Sequence, residues 1–406
     1  MKVLIISHRN PFRLKDGGSL GIFLVLKCYR QLGFDTTLLM MNPFKHYIPP
    51  EEYLPVAKEL GINLVVHDID TNPNPFRALH NLLFSDLSYI LERFYDKKYN
   101  QKLIQLLKNN QYNLIQLEGS QLALYLDTIK KYAPNTPIAL RAHNLEYEIW
   151  ERTAQIEKNL FKKWFYKVNA IRFKRWEIEQ FRRVDFIFPF SDRDLKKIKE
   201  YAPDKKYYTI NYGINLDKYP KQTIDLKRIS VAFLGALDWI PNQEALLWFL
   251  ENVWSRIDGY YEGLEFYIAG RNAPDWLVKK IKSYNVNFVG EVDSSIDFIV
   301  QHPIFVVPLM AGGGVRIKII EQMALGRVII STPIGAEGLE VMSGENILIA
   351  ETSDDFIRDI DYLLRNPDGI RYISENARLT VENFYNEQVI FREFGEYLES
   401  QLSITS

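Results

Sequence analysis

The chain has 406 residues, 50 Lys+Arg against 51 Asp+Glu, 47% apolar and 14% aromatic residues, six histidines and one cysteine. This composition is globular, sufficient for two or three domains each with its own core, and it excludes disordered and fibrous proteins. Cys28 has no partner for an internal disulfide and no CxxC or HxxxH spacing offers metal ligands, so no metal and a reducing compartment are expected.

Charge is polarised along the chain. Residues 1–220 hold 34 Lys+Arg and 24 Asp+Glu, a net +10, and residues 221–406 hold 16 and 27, a net −11. Such a split suits two domains with different partners, the first matched to an anionic surface. The opening Met1–Arg9 turns polar after four apolar residues, too short for a signal-peptide core, and reads as a first strand. No apolar run reaches the length of a spanning helix, and the expected location is cytoplasmic.

Both halves alternate short runs of Val, Ile, Leu or Phe with longer amphipathic stretches, the βα rhythm of a parallel sheet. Strands are predicted at Lys2–Ser7, Thr36–Met40, Asn63–His67, Asn113–Glu118, Pro137–Ala142 and Val184–Pro189, with helical stretches between them. After a linker at Tyr219–Thr223, strands follow at Ile229–Gly235, Leu264–Gly270, Val286–Gly290, Ile304–Pro308, Val328–Ser331 and Asn346–Ala350. Helices begin near Pro241, Pro274, Val315 and Ser353. The expected architecture is α/β: two doubly wound, Rossmann-like domains, residues 1–220 and 221–385, facing one cleft, because open parallel sheets bind ligands outside the carboxyl ends of their strands. A C-terminal helix at 386–406 is expected to pack back on the first domain.

The densest local signal runs from Pro308 to Glu321, where a strand meets Gly312, Gly313 and Gly314 and then a helix opening at Val315. Glycines admit close approach of a ligand, and helix-opening N–H groups favour an anion. Arg316 and Lys318 add two cations at that entrance, which points to a diphosphate. Glu321, three residues beyond Lys318 on the same helix face, is placed either to accept from sugar hydroxyls or to form an intrahelical salt bridge. The spacing is neither a Walker loop nor GxGxxG.

Gly312–Lys318 with Glu321, then Ala324–Thr332 and Gly335–Leu339, resemble the donor site of glycosyltransferase family 4. Phe233-Leu234-Gly235-Ala236-Leu237-Asp238-Trp239 with Pro241-Asn242 is similar to the loop that opens the second domain of those proteins. The resemblance implies the GT-B fold and a retaining transfer of sugar from a nucleotide-diphosphate sugar to an acceptor hydroxyl on a glycan or lipid-linked saccharide, in polysaccharide or glycoconjugate biosynthesis. It implies that Arg316 and Lys318 hold the diphosphate, that Glu321 binds the ribose, and that Gly235, Asp238, Asn242, Gly312, Gly313, Gly314 and Val315 line the nucleotide. No cofactor is implied, the nucleotide sugar being a substrate. The family's Glu-x7-Glu pattern departs here, since Gly313 stands where its first glutamate would. Alternatives are a GT-B nucleotide-sugar epimerase or a noncatalytic nucleotide-sugar-binding protein.

In the first half, Gly17, Gly18 and Ser19 lie between the first strand and a helix, positioned to meet phosphate or acceptor, or to make a plain turn with a serine cap. His143, followed by Asn144, ends a predicted strand and resembles the family's cleft histidine, which contacts donor sugar or acceptor. Ser191–Asp194 and Asn211–Asn215 also resemble family signatures, and capping and turn roles explain them. Residues 157–183 carry nine Lys/Arg interleaved with Phe161, Trp164, Phe165 and Val168. That basic amphipathic helix suits either an anionic membrane surface or the packing of its own domain; nucleic acid is not expected.

Overall fold

The computed structural model describes residues 1–13, 17–311 and 315–402. It divides into two compact units, one formed by Met1–Tyr212 with the stretch beginning at Phe391, the other by Gly213–Ile390. The division falls ahead of the Tyr219–Thr223 segment because residues 213–219 are bonded into the second unit. Ile214 N–H donates to Tyr385 O (2.8 Å), Glu387 N–H donates to Ile214 O (3.0 Å), and Arg378 Nη1 donates to Tyr219 O (2.5 Å).

The first unit is built on β1 (Lys2–Ser7), β2 (Asp35–Pro43), β3 (Asn63–Ile69), β4 (Leu114–Glu118), β5 (Ile138–Ala142), β6 (Phe186–Pro189) and β7 (Lys206–Tyr207). These strands form one parallel sheet in the order β3-β2-β1-β4-β5-β6-β7. Its helices are α1 (Gly17–Gln31), α2 (Pro50–Glu59), α3 (Pro75–Phe84), α4 (Tyr89–Glu92), α5 (Lys97–Asn109), α6 (Leu126–Tyr132), α7 (Glu146–Ile156), α8 (Leu160–Arg183) and α9 (Asp192–Tyr201). β4 and β5 are buried along their length and β1 from Val3 onward, as central strands of a sheet covered on both faces must be. The two-residue β7 has no apolar run of its own and escaped prediction.

The second unit repeats the plan with β8 (Ser230–Leu234), β9 (Glu265–Ala269), β10 (Asn287–Gly290), β11 (Ile304–Val307), β12 (Val328–Ser331) and β13 (Leu348–Ile349), ordered β10-β9-β8-β11-β12-β13 and parallel throughout. Its helices are α10 (Ile240–Phe249), α11 (Ser255–Ile257), α12 (Asp275–Ile281), α13 (Ser295–Gln301), α14 (Ile317–Ala324), α15 (Ser353–Arg365) and α16 (Pro367–Phe384). A last helix, α17 (Glu387–Leu402), follows. Strand order reverses between β1 and β4 in one sheet and between β8 and β11 in the other, and a ligand of such a sheet binds beside that reversal at the carboxyl ends.

Of the segment at 157–183, the second half enters the core, with Phe173 and Phe181 fully buried, whereas Phe161 and Trp164 are exposed. The packing expected of this helix is thus met by its second half alone, and its first turns keep their aromatic side chains in solvent.

Candidate active site

In the second unit the carboxyl edge is tightly laced. Gly235 N–H donates to Ala269 O (3.2 Å) and Leu237 N–H to Arg271 O (2.9 Å), tying the loop after β8 to the end of β9. The strands approach so closely that a Cβ on Gly270 would stand 2.1 Å from Gly235 O, which is why glycine occupies position 270. Asn242, buried in the first turn of α10, donates from Nδ2 to Ala236 O (2.9 Å) and closes the loop.

Into this frame projects Lys318 from the first turn of α14. Its ammonium donates to Leu234 O and to Asn242 Oδ1, both at 3.3 Å, and sits 5.0 Å from the centre of the Phe233 ring. Burial, with the cation of Arg316 adding to it, pushes Lys318 down to about 7. Arg316 is buried at the N-cap of α14, its guanidinium 5.9 Å from the Trp239 ring. Two cations thus converge beside the β8/β11 reversal. Val315 precedes the helix and is half-buried; Gly312, Gly313 and Gly314 lie outside the described residues.

Glu321 does not pair with Lys318. It accepts from the Tyr219 hydroxyl through Oε1 (2.6 Å), and burial raises its carboxyl above the ordinary value despite that bond. Asp238 is exposed and accepts from Asn272 Nδ2 (3.0 Å), Asn272 holding a left-handed φ of 54°. The far end of α14 is fastened as well. Gly326 ends it with φ 69°, Ser374 Oγ donates to Gly326 O (2.6 Å) and Arg378 Nη1 to Ala324 O (2.5 Å), so the helix that carries both cations is fixed.

The first unit gathers a second cluster at its own reversal. Glu118 ends β4 and is fully buried. It accepts from His143 Nε2 through Oε2 (2.7 Å) and from Gln116 Nε2 through Oε1 (2.5 Å), with Arg141 Nη1 3.8 Å away. Burial alone would raise this carboxyl, but Arg141, His143 and Gln116 together hold it below the ordinary value, so it is ionised. An ionised carboxylate only accepts, hence the His143 proton is on Nε2 and its Nδ1 carries a lone pair. Burial lowers His143 more than Glu118 raises it, leaving the ring neutral.

His8, just past β1, is the mirror case. Arg9 Nε donates to His8 Nε2 (2.9 Å), so Nδ1 carries the hydrogen and donates to Glu118 O (2.7 Å). Gly119 allows that approach, with φ 102° and a Cβ position 3.0 Å from the His8 ring. Nearby, Glu177 of α8 accepts from Ser120 Oγ (2.5 Å) and from the Glu146 and Tyr147 N–H groups (3.3 Å each) that open α7. Burial, with Glu146 alongside, pushes Glu177 up to about 8, so it is held protonated at neutral pH.

Of the predicted residues, Gly235, Asn242, Arg316 and Lys318 come together, with Glu321 further along α14 and Asp238 on the loop's outer side. Gly17, Gly18 and Ser19 form the first turn of α1; Ser19 is buried inside that turn instead of capping it. Asn144 bonds Glu146 at the start of α7. Ser191 caps α9 by accepting from Asp194 N–H (3.3 Å), and Asn215 accepts from Asp217 N–H (2.9 Å). Sequence reasoning passed over Glu118, His8, Arg9, Glu177 and Tyr219. The available signal for the first three was position alone, at the carboxyl ends of the two strands that flank the reversal.

Two parallel sheets with this strand order, each carrying convergent polar side chains at its reversal, define the GT-B fold. Residues 228–366 match the family model described as glycosyl transferases group 1, and the whole of that match lies within the second unit. Over 403 residues the chain is 25% identical to an uncharacterized 44.6 kDa protein in the cps region of Klebsiella pneumoniae, covering 96% of this chain and 98% of that one. Among solved structures it is similar to Anabaena Alr3699/HepE in complex with UDP, with a TM-score of 0.68 and 13% identity over 98% of this chain and 100% of that one. The same protein in complex with UDP-glucose superposes at 0.63 with 14% identity, over the same shares. Sucrose-phosphate synthase from Thermosynechococcus elongatus gives 0.67 and 16% identity over 100% of both chains.

Proposed function

We propose that this protein transfers a sugar from a nucleotide-diphosphate sugar, with retention at the anomeric carbon, to a hydroxyl of a glycan or lipid-linked saccharide in polysaccharide or glycoconjugate biosynthesis. The observation that carries the reading is the pair Arg316 and Lys318, two cations at the start of one fixed helix beside a sheet reversal, within a group 1 glycosyltransferase domain. The UDP and UDP-glucose complexes of HepE support a nucleotide sugar as donor, and the cps-region relative supports an acceptor in polysaccharide assembly.

As the bond from the anomeric carbon to the diphosphate oxygen stretches, negative charge grows on the leaving group. Charge-assisted bonds from Lys318 and Arg316 strengthen as that charge develops, which lowers the barrier. Lys318 donates to two neutral acceptors at 3.3 Å, long bonds that a phosphate oxygen readily replaces. Glu321, one turn further along the same helix, is held by Tyr219 through one oxygen and offers its second to a ribose hydroxyl. In the first unit, His143 presents the Nδ1 lone pair to a sugar hydroxyl while Glu118 fixes its ring.

Calorimetric titration of UDP is the direct test. The wild-type protein should bind, and Lys318→Ala should weaken binding by about 1.5–3 kcal/mol while the thermal unfolding profile is retained. Unchanged affinity would remove Lys318 from the site. Mass spectrometry of products, with and without acceptor, then separates transfer from epimerisation.

A further inference from the structure

α3 and the first turns of α8 carry apolar side chains that their own unit leaves uncovered. In α3 the single buried residue is Asn81, while Phe76 is 84% exposed and Phe84 76%, with Leu79 and Leu83 also open to solvent. Across from them Leu160 is 82% exposed, Phe161 68% and Trp164 50%. A groove of about 480 Å³ separates the two helices, walled by Leu79, Leu82, Ile90, Phe161 and Phe165 and edged by Arg93 and Lys162.

The exposure is built in, because both helices are anchored from beneath. Asn74 caps α3, accepting from Phe76 and Arg77 N–H, and the Tyr89 hydroxyl donates to Asn74 O (3.1 Å). Arg172 of α8 donates to Leu82 O (3.0 Å) in the last turn of α3. Asn169 of α8 accepts from Ser88 Oγ (2.9 Å) and Tyr89 N–H (2.8 Å), fixing α4 between them. Asn81, Asn169 and Arg172 thus turn to the inner side with hydrogen bonds made, while Phe76, Phe84, Phe161 and Trp164 stand out in solvent.

Charge selects the occupant. No Asp or Glu occurs between Asp70 and Asp86 or between Glu157 and Glu177, whereas Arg77, Lys158, Lys162, Lys163 and Lys167 are exposed around the apolar face. A second copy docking face to face would set these cations against their own images. Interface cores between proteins are depleted of lysine, while aromatic and leucine side chains rimmed by lysine are what a headgroup layer of negative charge attracts.

We propose that α3 and the N-terminal half of α8 form a docking surface for an anionic phospholipid bilayer, with Phe76, Phe84, Phe161 and Trp164 entering the interface and the groove receiving acyl chain. This surface does not depend on the nucleotide reading. Co-sedimentation with vesicles of phosphatidylcholine, alone or mixed with phosphatidylglycerol, tests it on the full chain. The wild-type protein should bind the mixed vesicles at low salt and be released by added salt. Phe76→Ser/Phe84→Ser/Trp164→Ser should lower the partition coefficient roughly tenfold or more, with melting temperature preserved because these residues are exposed. Lys162→Gln/Lys163→Gln/Lys167→Gln should abolish the preference for the anionic lipid. Absence of binding at low salt, or equal binding by the serine variant, overturns the proposal. So does a dimer in light scattering that the serine substitutions dissociate while vesicles stay unbound. UDP titration on the same samples reports separately on the nucleotide site.

Discussion

Lys318 makes the nucleotide site sensitive to pH in a direction that can be worked out. With a free-state value of about 7, the ammonium is half-formed at neutrality, and a bound diphosphate stabilises the charged form. Binding therefore takes up a proton above pH 7, and UDP affinity should fall as pH rises from 7 to 9, approaching tenfold per unit. Lys318→Met should flatten that slope in calorimetry. Glu118 sets a second dependence. Its depressed carboxyl contributes stability present above the ordinary carboxylate value and lost as pH falls through its folded value. His8 and His143, both held neutral, act in the same direction, because unfolded histidines gain protons below about pH 6.5. Glu118→Gln leaves the buried Arg141 guanidinium without a counter-charge and should cost about 3–5 kcal/mol in urea unfolding. In that variant nitrogen-15 NMR should report altered proton occupancy on His143.

At the scale of elements, the carboxyl edge of the second unit depends on a backbone approach that leaves no space for a side chain. Gly270→Ala would drive a methyl group into Gly235 O and displace the loop that Asn242 and Lys318 share, so stability should drop by about 1–3 kcal/mol and UDP affinity with it. The elements themselves were legible: twelve strand segments were predicted and each contains a strand, because short clusters of Val, Ile, Leu and Phe between turn residues mark even the partly exposed strands β3 and β10. The opening of α14 was readable from glycines and cations next to each other in sequence. The Glu118, His143 and His8 cluster was not, since its members lie on three strand ends that are neighbours only through the order β1-β4-β5. Likewise α3 reads as an ordinary amphipathic helix; that its apolar face meets solvent is decided by Asn81, Tyr89 and Arg172 beneath it.

For the molecule as a whole, the first unit is assembled from two distant parts of the chain. Phe394, from the last helix, is fully buried among Tyr29, Phe188 and Tyr208, with ring centres 5.2–6.1 Å away. Phe394→Ala should cost about 3–5 kcal/mol in chemical unfolding, a loss felt in the unit that lies earliest in the sequence. During synthesis this has a temporal consequence. The ribosome must deliver the entire second unit before Phe394 emerges, a delay of roughly 10–35 s at ordinary elongation rates. Through that interval Tyr29, Phe188 and Tyr208 wait without their plug, and the nascent polypeptide offers chaperones a vacancy that Phe394 fills once it emerges.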